Sequence, residues 1–318
     1  MRKIILDFRK TLDTRAVLLM LVLCMIWGLQ QSVLKLTAGD IAPIMQIALR
    51  SGASALLVAL LMGWRRERLV ALDATWRPGL LVGGLFALEF LLVGEGLRHT
   101  KASHIVVFLY TAPVFVALGL HFKLPAERLN GVQWLGIALA FAGLALAFLG
   151  HPASADGAPG SASTLWGDAL GLLGGMAWAA TTVVVRCSAL SRVSASQTLL
   201  YQLVAAFVLL LAAAVLLGQT DINPTPLVLG SLLFQSLIVS FASFLVWFWL
   251  LRHYLASELG VFSFLTPLFG VGFGVWLLGE PLESRFVLGA LGVIAGVILV
   301  SSHSWLRAVM GPWLAWGR

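Results

Sequence analysis

Runs of about twenty apolar residues, separated by short polar or basic stretches, recur ten times: at about 16–36, 41–63, 78–97, 102–121, 130–149, 166–186, 195–217, 227–250, 256–278 and 285–302. At about 1.5 Å rise per residue, each run is long enough for a helix to cross a hydrocarbon core of roughly 30 Å. The pattern predicts an all-α polytopic membrane protein with ten transmembrane helices. After the fifth run comes HPASADGAPGSAST, rich in Gly, Ala, Ser and Pro and free of Lys and Arg, which has the composition of a linker.

Composition supports this class. The hydrophobic set supplies 60% of the 318 residues and charged residues only 11%, too few to cover a soluble surface. The net charge of +7 is not gathered into a basic face with aromatic readers, so nucleic acid is not an expected partner. Instead, the basic residues set an orientation. With the amino terminus inside, sixteen Lys and Arg fall in or beside inner loops, against four outside (Lys35, Arg98, Lys101 and Arg285), leaving Arg50 within the second span. Positive loops stay cytoplasmic, so both termini are expected there. The basic start followed by an apolar run resembles a secretory signal but lacks a small-x-small cleavage site; an uncleaved first span is expected. Cys24 and Cys187 suit small core residues, not a disulfide framework or a metal site.

The chain also repeats itself. LRHTKASHIVVFLYTAP at 97–113 and LRHYLASELGVFSFLTP at 251–267 agree at eight of seventeen positions, including the scarce Arg, His and Pro. After a one-residue slip, Glu127, Leu129, Leu135, Gly136 and Gly143 align with Glu280, Leu282, Leu288, Gly289 and Gly296. Met25, Trp27 and Lys35 align with Met176, Trp178 and Arg186. This divides the chain into a first five-helix repeat over 1–150, a linker over 151–165 on the outer side, and a second repeat over 166–318. Because five is odd, the copies enter the membrane in opposite senses, the inverted-repeat plan of secondary transporters. The repeated string becomes the hairpin between the third and fourth helices of each half, with Ser103 and Ser257 as expected helix caps.

These residues resemble the drug/metabolite transporter superfamily, specifically its EamA-type ten-helix exporters. The similarity is carried by Trp27–Gly28, by PIMQIALR ending at Arg50, by LRHTKAS leading to Pro113, and by Trp178, LRHYLAS leading to Pro267, and GEPLESRFVLGALGVIAG at 279–296. The resemblance implies a cavity lined by helices one to four and six to nine, peripheral helices five and ten, and export. The uncharged stretches 134–149 and 286–300, with Gly136, Gly143, Gly289, Gly292 and Gly296, suit close packing of those two peripheral helices.

Candidate solute contacts follow from polarity at membrane depth. An ionised Glu89 near the middle of the third span costs at least roughly 2.5–3.5 kcal/mol, so it is expected to be paired, protonated or wet. Arg50 shares a face with Gln46 and Pro43; a structural bridge to Glu89 and a functional pair are both open. Glu95 is expected to pair locally with Arg98, and His104 to be an interface group. Ser236, Ser240, Ser243 and Trp247 are spaced to share one face of the eighth helix, as are Ser263, Thr266, Gly270 and Gly274 on the ninth. Such hydroxyls serve either a path or contacts between helices. Pro113 and Pro267, at matched mid-helix positions, free the carbonyls of Leu109 and Ser263 and are candidate hinges. Trp27 and Trp178 lie away from interfacial belts and serve either packing or an aromatic lining that favours apolar or aromatic solutes or cations. Gln30, Gln31, Tyr110, Thr111, Thr181, Thr182, Tyr201 and Gln202 add neutral polarity.

The expected activity is secondary transport across the cell membrane, exporting an amino acid or related amphipathic solute by alternating access, with protons a candidate coupling ion. The alternatives are a multidrug or cation exporter or an importer of the same fold, and, from other classes, an intramembrane enzyme or a non-transporting subunit. No HExxH, Walker loop or zinc constellation is present, so no catalytic residue, metal or cofactor is expected.

Overall fold

The computed structural model describes residues 9–100, 102–148, 162–278 and 284–315, and over these the chain is helical with no strands beyond isolated bridges. Most of the expected linker, together with Arg2, Lys3, Lys101, Glu280 and Arg318, lies outside the described residues. The spans are α1 (Thr14–Thr37), α2 (Pro43–Trp64), α3 (Leu72–Gly96), α4 (His104–Lys123), α5 (Gly131–Phe148), α6 (Ser163–Cys187), α7 (Ala195–Leu216), α8 (Pro226–His253), α9 (Ala256–Leu277) and α10 (Ser284–Ala315). Among the described residues, the first nine are long and apolar enough to cross a membrane, and α10 adds a shorter apolar stretch over Ser284–Val300. The third helix starts earlier than its apolar run suggests, because Leu72–Pro78 forms a polar first part of the same helix.

The outer surface of the bundle is apolar. Leu56, Leu60, Leu135, Leu216 and Leu288 are all exposed, as a lipid-facing surface requires. Polar side chains lie instead between helices, where Gln46, Arg50, Ser54, Glu127, Arg186, Gln235 and Glu258 are buried.

Packing between the halves follows a simple exchange. Helix α1 packs on α9 as α6 packs on α4, α1 meets α8 as α6 meets α3, and α2 meets α8 as α7 meets α3, while α2–α7 and α5–α10 join equivalent helices. The α5–α10 seam is the tightest of these. A Cβ built on Gly143 would stand 2.6 Å from the Gly289 carbonyl oxygen, and one on Gly296 2.4 Å from that of Gly136, so only glycine admits this approach.

The loops gather at two ends. At one, which we call the amino-terminal face, Lys10 bridges Tyr254 and Arg9 reaches the Ser191 carbonyl. At the other, Ile41 bridges Ile222, Asn223 bonds Asp40, and His99 meets Ser163. Three crossings, α1 to α3, separate residues 9–13 from Leu97–Thr100, so the first repeated string lies at the far end and the second beside the amino terminus.

The two prolines behave alike. Helical winding breaks at Tyr110–Thr111 before Pro113 and at Ser263–Phe264 before Pro267, each through tighter three-residue turns such as Thr111 N to Phe108 O and Ser263 N to Gly260 O. Ser257 departs from expectation. Residue Leu255 occupies the cap position of α9, and the Ser257 hydroxyl bonds Glu127 from the first half.

Candidate functional site

A cavity of about 450 Å³ runs through the bundle, from Lys35, Ala38, Pro43 and Leu97 near the far end to Val185, Phe248 and Leu251 towards the amino-terminal face. Its size suits a small metabolite. The walls are largely aromatic. Trp27 from α1 stands edge-on to Trp247 from α8 with centroids 5.7 Å apart, and Tyr110 from α4 stands edge-on to Trp178 from α6 at 5.3 Å. Phe86, Phe90 and Phe244 complete this lining. Trp27 is held in place because its indole N–H donates to the Ser243 hydroxyl at 3.0 Å.

Arg50 and Glu89 both belong to the cavity wall. They influence each other electrostatically, but among the described residues no ion pair joins them. Arg50 Nη1 donates to Gln235 Oε1 at 2.6 Å, and Phe90 covers the guanidinium with its ring centroid 5.5 Å from Cζ. Its Nε and Nη2 are buried with no hydrogen-bond partner among the described residues. A buried cation with two unmet donors is costly, and an arriving anion would satisfy both through the fork geometry of arginine.

The predicted solute contacts divide into two groups. Trp27, Gln30, Arg50, Glu89, Tyr110, Trp178 and Thr181 line the cavity, as do Gln31, Thr182, Gln202 and Trp247. Gln46 is drawn away from it, buried between Thr37 and Ser231, to which its amide donates. Tyr201 turns to the α3–α7 interface, where its hydroxyl meets Thr75 and its ring fills the space beside Gly79. Thr111 donates back to the Phe108 carbonyl, and Ser263 to that of Gly260. Ser240 and Thr266 are buried off the cavity.

The serine stripe of α8 is displaced for a physical reason. Residues Gln235–Ser243 form a π-helix, whose wider turn rotates Ser236 and Ser240 away from the face of Trp247, while Ser243, one α-helical turn before Trp247, meets Trp27 behind the cavity wall. The same widened stretch carries Gln235 to Arg50, and its Ser236 carbonyl accepts from Ser54.

The expected local pair is present, Glu95 to Arg98 at 3.0 Å on the exposed end of α3. His104 Nδ1 meets Asp168 at 3.1 Å between α4 and α6, a contact that the sequence did not suggest.

Sequence reasoning did not select a buried cluster beneath the cavity. Glu127 accepts from Arg186 Nε at 2.8 Å, from the backbone N–H groups of Ala256 and Ser257 at 3.1 and 3.0 Å, and from the Ser257 hydroxyl at 2.7 Å. Glu258, one residue on, accepts from Leu12 N and from Gln133 Nε2. The internal repeat carried a signal, since Glu127, Arg186 and Ser257 all occupy matched positions. It gave no means of pairing them across the halves.

Comparison with known proteins supplies the family. The EamA-like transporter family matches residues 14–149 and again 165–302. The chain is similar to an uncharacterized inner membrane transporter, YedA, of Escherichia coli K12, with 29% identity over 304 residues covering 91% of this chain and 92% of the relative. It is also similar to an uncharacterized transporter, YoaV, of Bacillus subtilis, with 23% identity over 86% of this chain and 92% of the relative. One solved crystal structure superposes with a TM-score of 0.78 at 16% identity, covering 92% of this chain and 99% of that one, a likeness of fold alone.

Proposed function

Because the chain belongs to the EamA-like transporter family and is a multi-pass cell-membrane protein, we propose that it exports a small amphipathic metabolite bearing a carboxylate, such as an amino acid, by alternating access. In this reading two five-helix repeats of opposite orientation, 1–150 and 166–318, with 151–165 between them, rock about the cavity. Arg50 receives the carboxylate through Nε and Nη2 once Phe90 swings aside. Glu89 faces the amino group or carries a coupling proton, and the aromatic pairs hold the apolar part. Pro113 and Pro267 serve as the hinges. The observation that carries the reading is the buried guanidinium of Arg50, with two donors unmet among the described residues, beside a metabolite-sized aromatic cavity.

A second reading, transport of an aromatic cation, draws on Glu89 and the same aromatic walls. Purified protein in oriented proteoliposomes distinguishes them. An aromatic amino acid and its decarboxylated amine are each loaded and their efflux followed with and without a pH gradient. The carboxylate reading expects saturable efflux of the amino acid and little of the amine. The reverse preference supports the cation reading and overturns the first.

A further inference from the structure

We propose that residues 9–13 form a strap which, together with the Glu127–Arg186 cluster, closes the amino-terminal end of the pathway and must release for that end to open. The inference rests on the alternating-access reading but not on the identity of the solute.

The cavity ends at Val185 and Leu251. The residues immediately beyond them are the ones held shut. Arg186, next to Val185, is clamped by Glu127, which comes from the α4–α5 connection and also takes the free amides at the start of α9. Past Leu251, the strap crosses the second repeated string from end to end. Arg9 Nε donates to the Arg252 carbonyl at 3.0 Å, Lys10 N to that of His253 at 2.9 Å, and Leu255 N to that of Lys10 at 3.1 Å. The Tyr254 hydroxyl donates to Asp13 Oδ2 at 2.8 Å, and Leu12 N to Glu258 at 3.1 Å.

These bonds join different parts of the molecule. The strap and Glu127 precede or lie within the first half, whereas Arg186, Tyr254, Ser257 and Glu258 belong to the second. A relative rotation of the halves that opens this end therefore has to break them. Their chemistry suits reversal, because a polar closure exchanges protein partners for water at modest net cost, whereas a buried apolar seal would expose its whole surface. The sequence keeps a glutamate, a basic residue and a serine at the matched positions Glu280, Lys35 and Ser103. That recurrence is expected of a device each half needs in its turn.

The test reads accessibility and needs no solute. In a chain with Cys24→Ala and Cys187→Ser, Val185→Cys serves as reporter for a membrane-impermeant thiol reagent applied at the amino-terminal face. Weakening the strap with Arg9→Ala and Tyr254→Phe, which spares the buried cluster and hence folding, is expected to speed labelling about fivefold. Conversely, Lys10→Cys with Tyr254→Cys places two thiols on bridged residues, whose spacing of about 4.8 Å is within disulfide reach. Oxidation is expected to suppress labelling, and reduction to restore it. The crosslink is followed by gel shift after cleavage at a protease site inserted into 151–160. Labelling unchanged by both manipulations, or failure of the crosslink to form in properly inserted protein, overturns the proposal. A wrong solute leaves all these results intact.

Discussion

Two charged residues show how differently burial acts at single positions. Arg50 is fully buried with one strong bond to Gln235 and two donors unmet among the described residues. Replacing it with Gln removes the charge, and replacing it with Lys keeps the charge but loses the planar fork. Both variants are expected to weaken apparent solute affinity by about tenfold or more, as measured by concentration-dependent efflux. If Arg50→Lys transports like the unaltered protein, the bidentate role fails. Asp13 lies on the surface, where its Oδ1 accepts from Ala16 N and caps α1. Burial pushes its carboxyl up, but the Ala16 amide and the Tyr254 hydroxyl, helped by Lys10 and the Arg15 amide, outweigh that and hold it below its ordinary value. A depressed acid contributes stability above its unfolded pKa and loses it as pH falls through the folded one. Asp13→Ala is therefore expected to cost about 1 kcal/mol near neutral pH. That difference should vanish in thermal melts only below the ordinary carboxylate range.

Among the helices, the seam of α5 and α10 leaves little room for a side chain. Gly143→Val would drive a side chain into the Gly289 and Val293 backbone, an overpacking expected to cost about 1–3 kcal/mol, seen as a lower thermal midpoint in detergent. Gly63→Ala, with open space around its Cβ position, is the matched control and should not lower it. The helices themselves were largely legible in the sequence, because each must be apolar over its membrane depth and bounded by polar loops. Their tight seam was legible too, through Gly136, Gly143, Gly289, Gly292 and Gly296. What could not be read was winding. The π-helix at Gln235–Ser243 separates Ser236 and Ser240 from the face that spacings of four, three and four assign to them together with Ser243 and Trp247. Its effect depends on neighbours such as Ser54 and Arg50, which are distant in sequence.

For the whole molecule, the cavity was readable where polarity at mid-depth carries a penalty, as at Arg50 and Glu89, and where the repeat matched Trp27 to Trp178. It was not readable where a polar side chain has a second way to be satisfied. Gln46, Thr111, Tyr201, Ser263 and the Glu127–Arg186 cluster all spend their polarity on contacts between or within helices, and composition does not separate the two uses. The exchange of packing partners between halves adds a further expectation. If the halves move as units, conservative changes within one half away from the interface should leave solute efflux and Val185→Cys labelling coupled. Uncoupled responses would count against a two-body mechanism.

The glycine seam bears on how such movement is shared out. With α5 and α10 in backbone contact at two levels, little sliding is available there. In the alternating-access reading proposed above, the pair would serve as a fulcrum, so that a small tilt at that edge grows with distance into a wide displacement at α1, α3, α6 and α8, across the bundle from it.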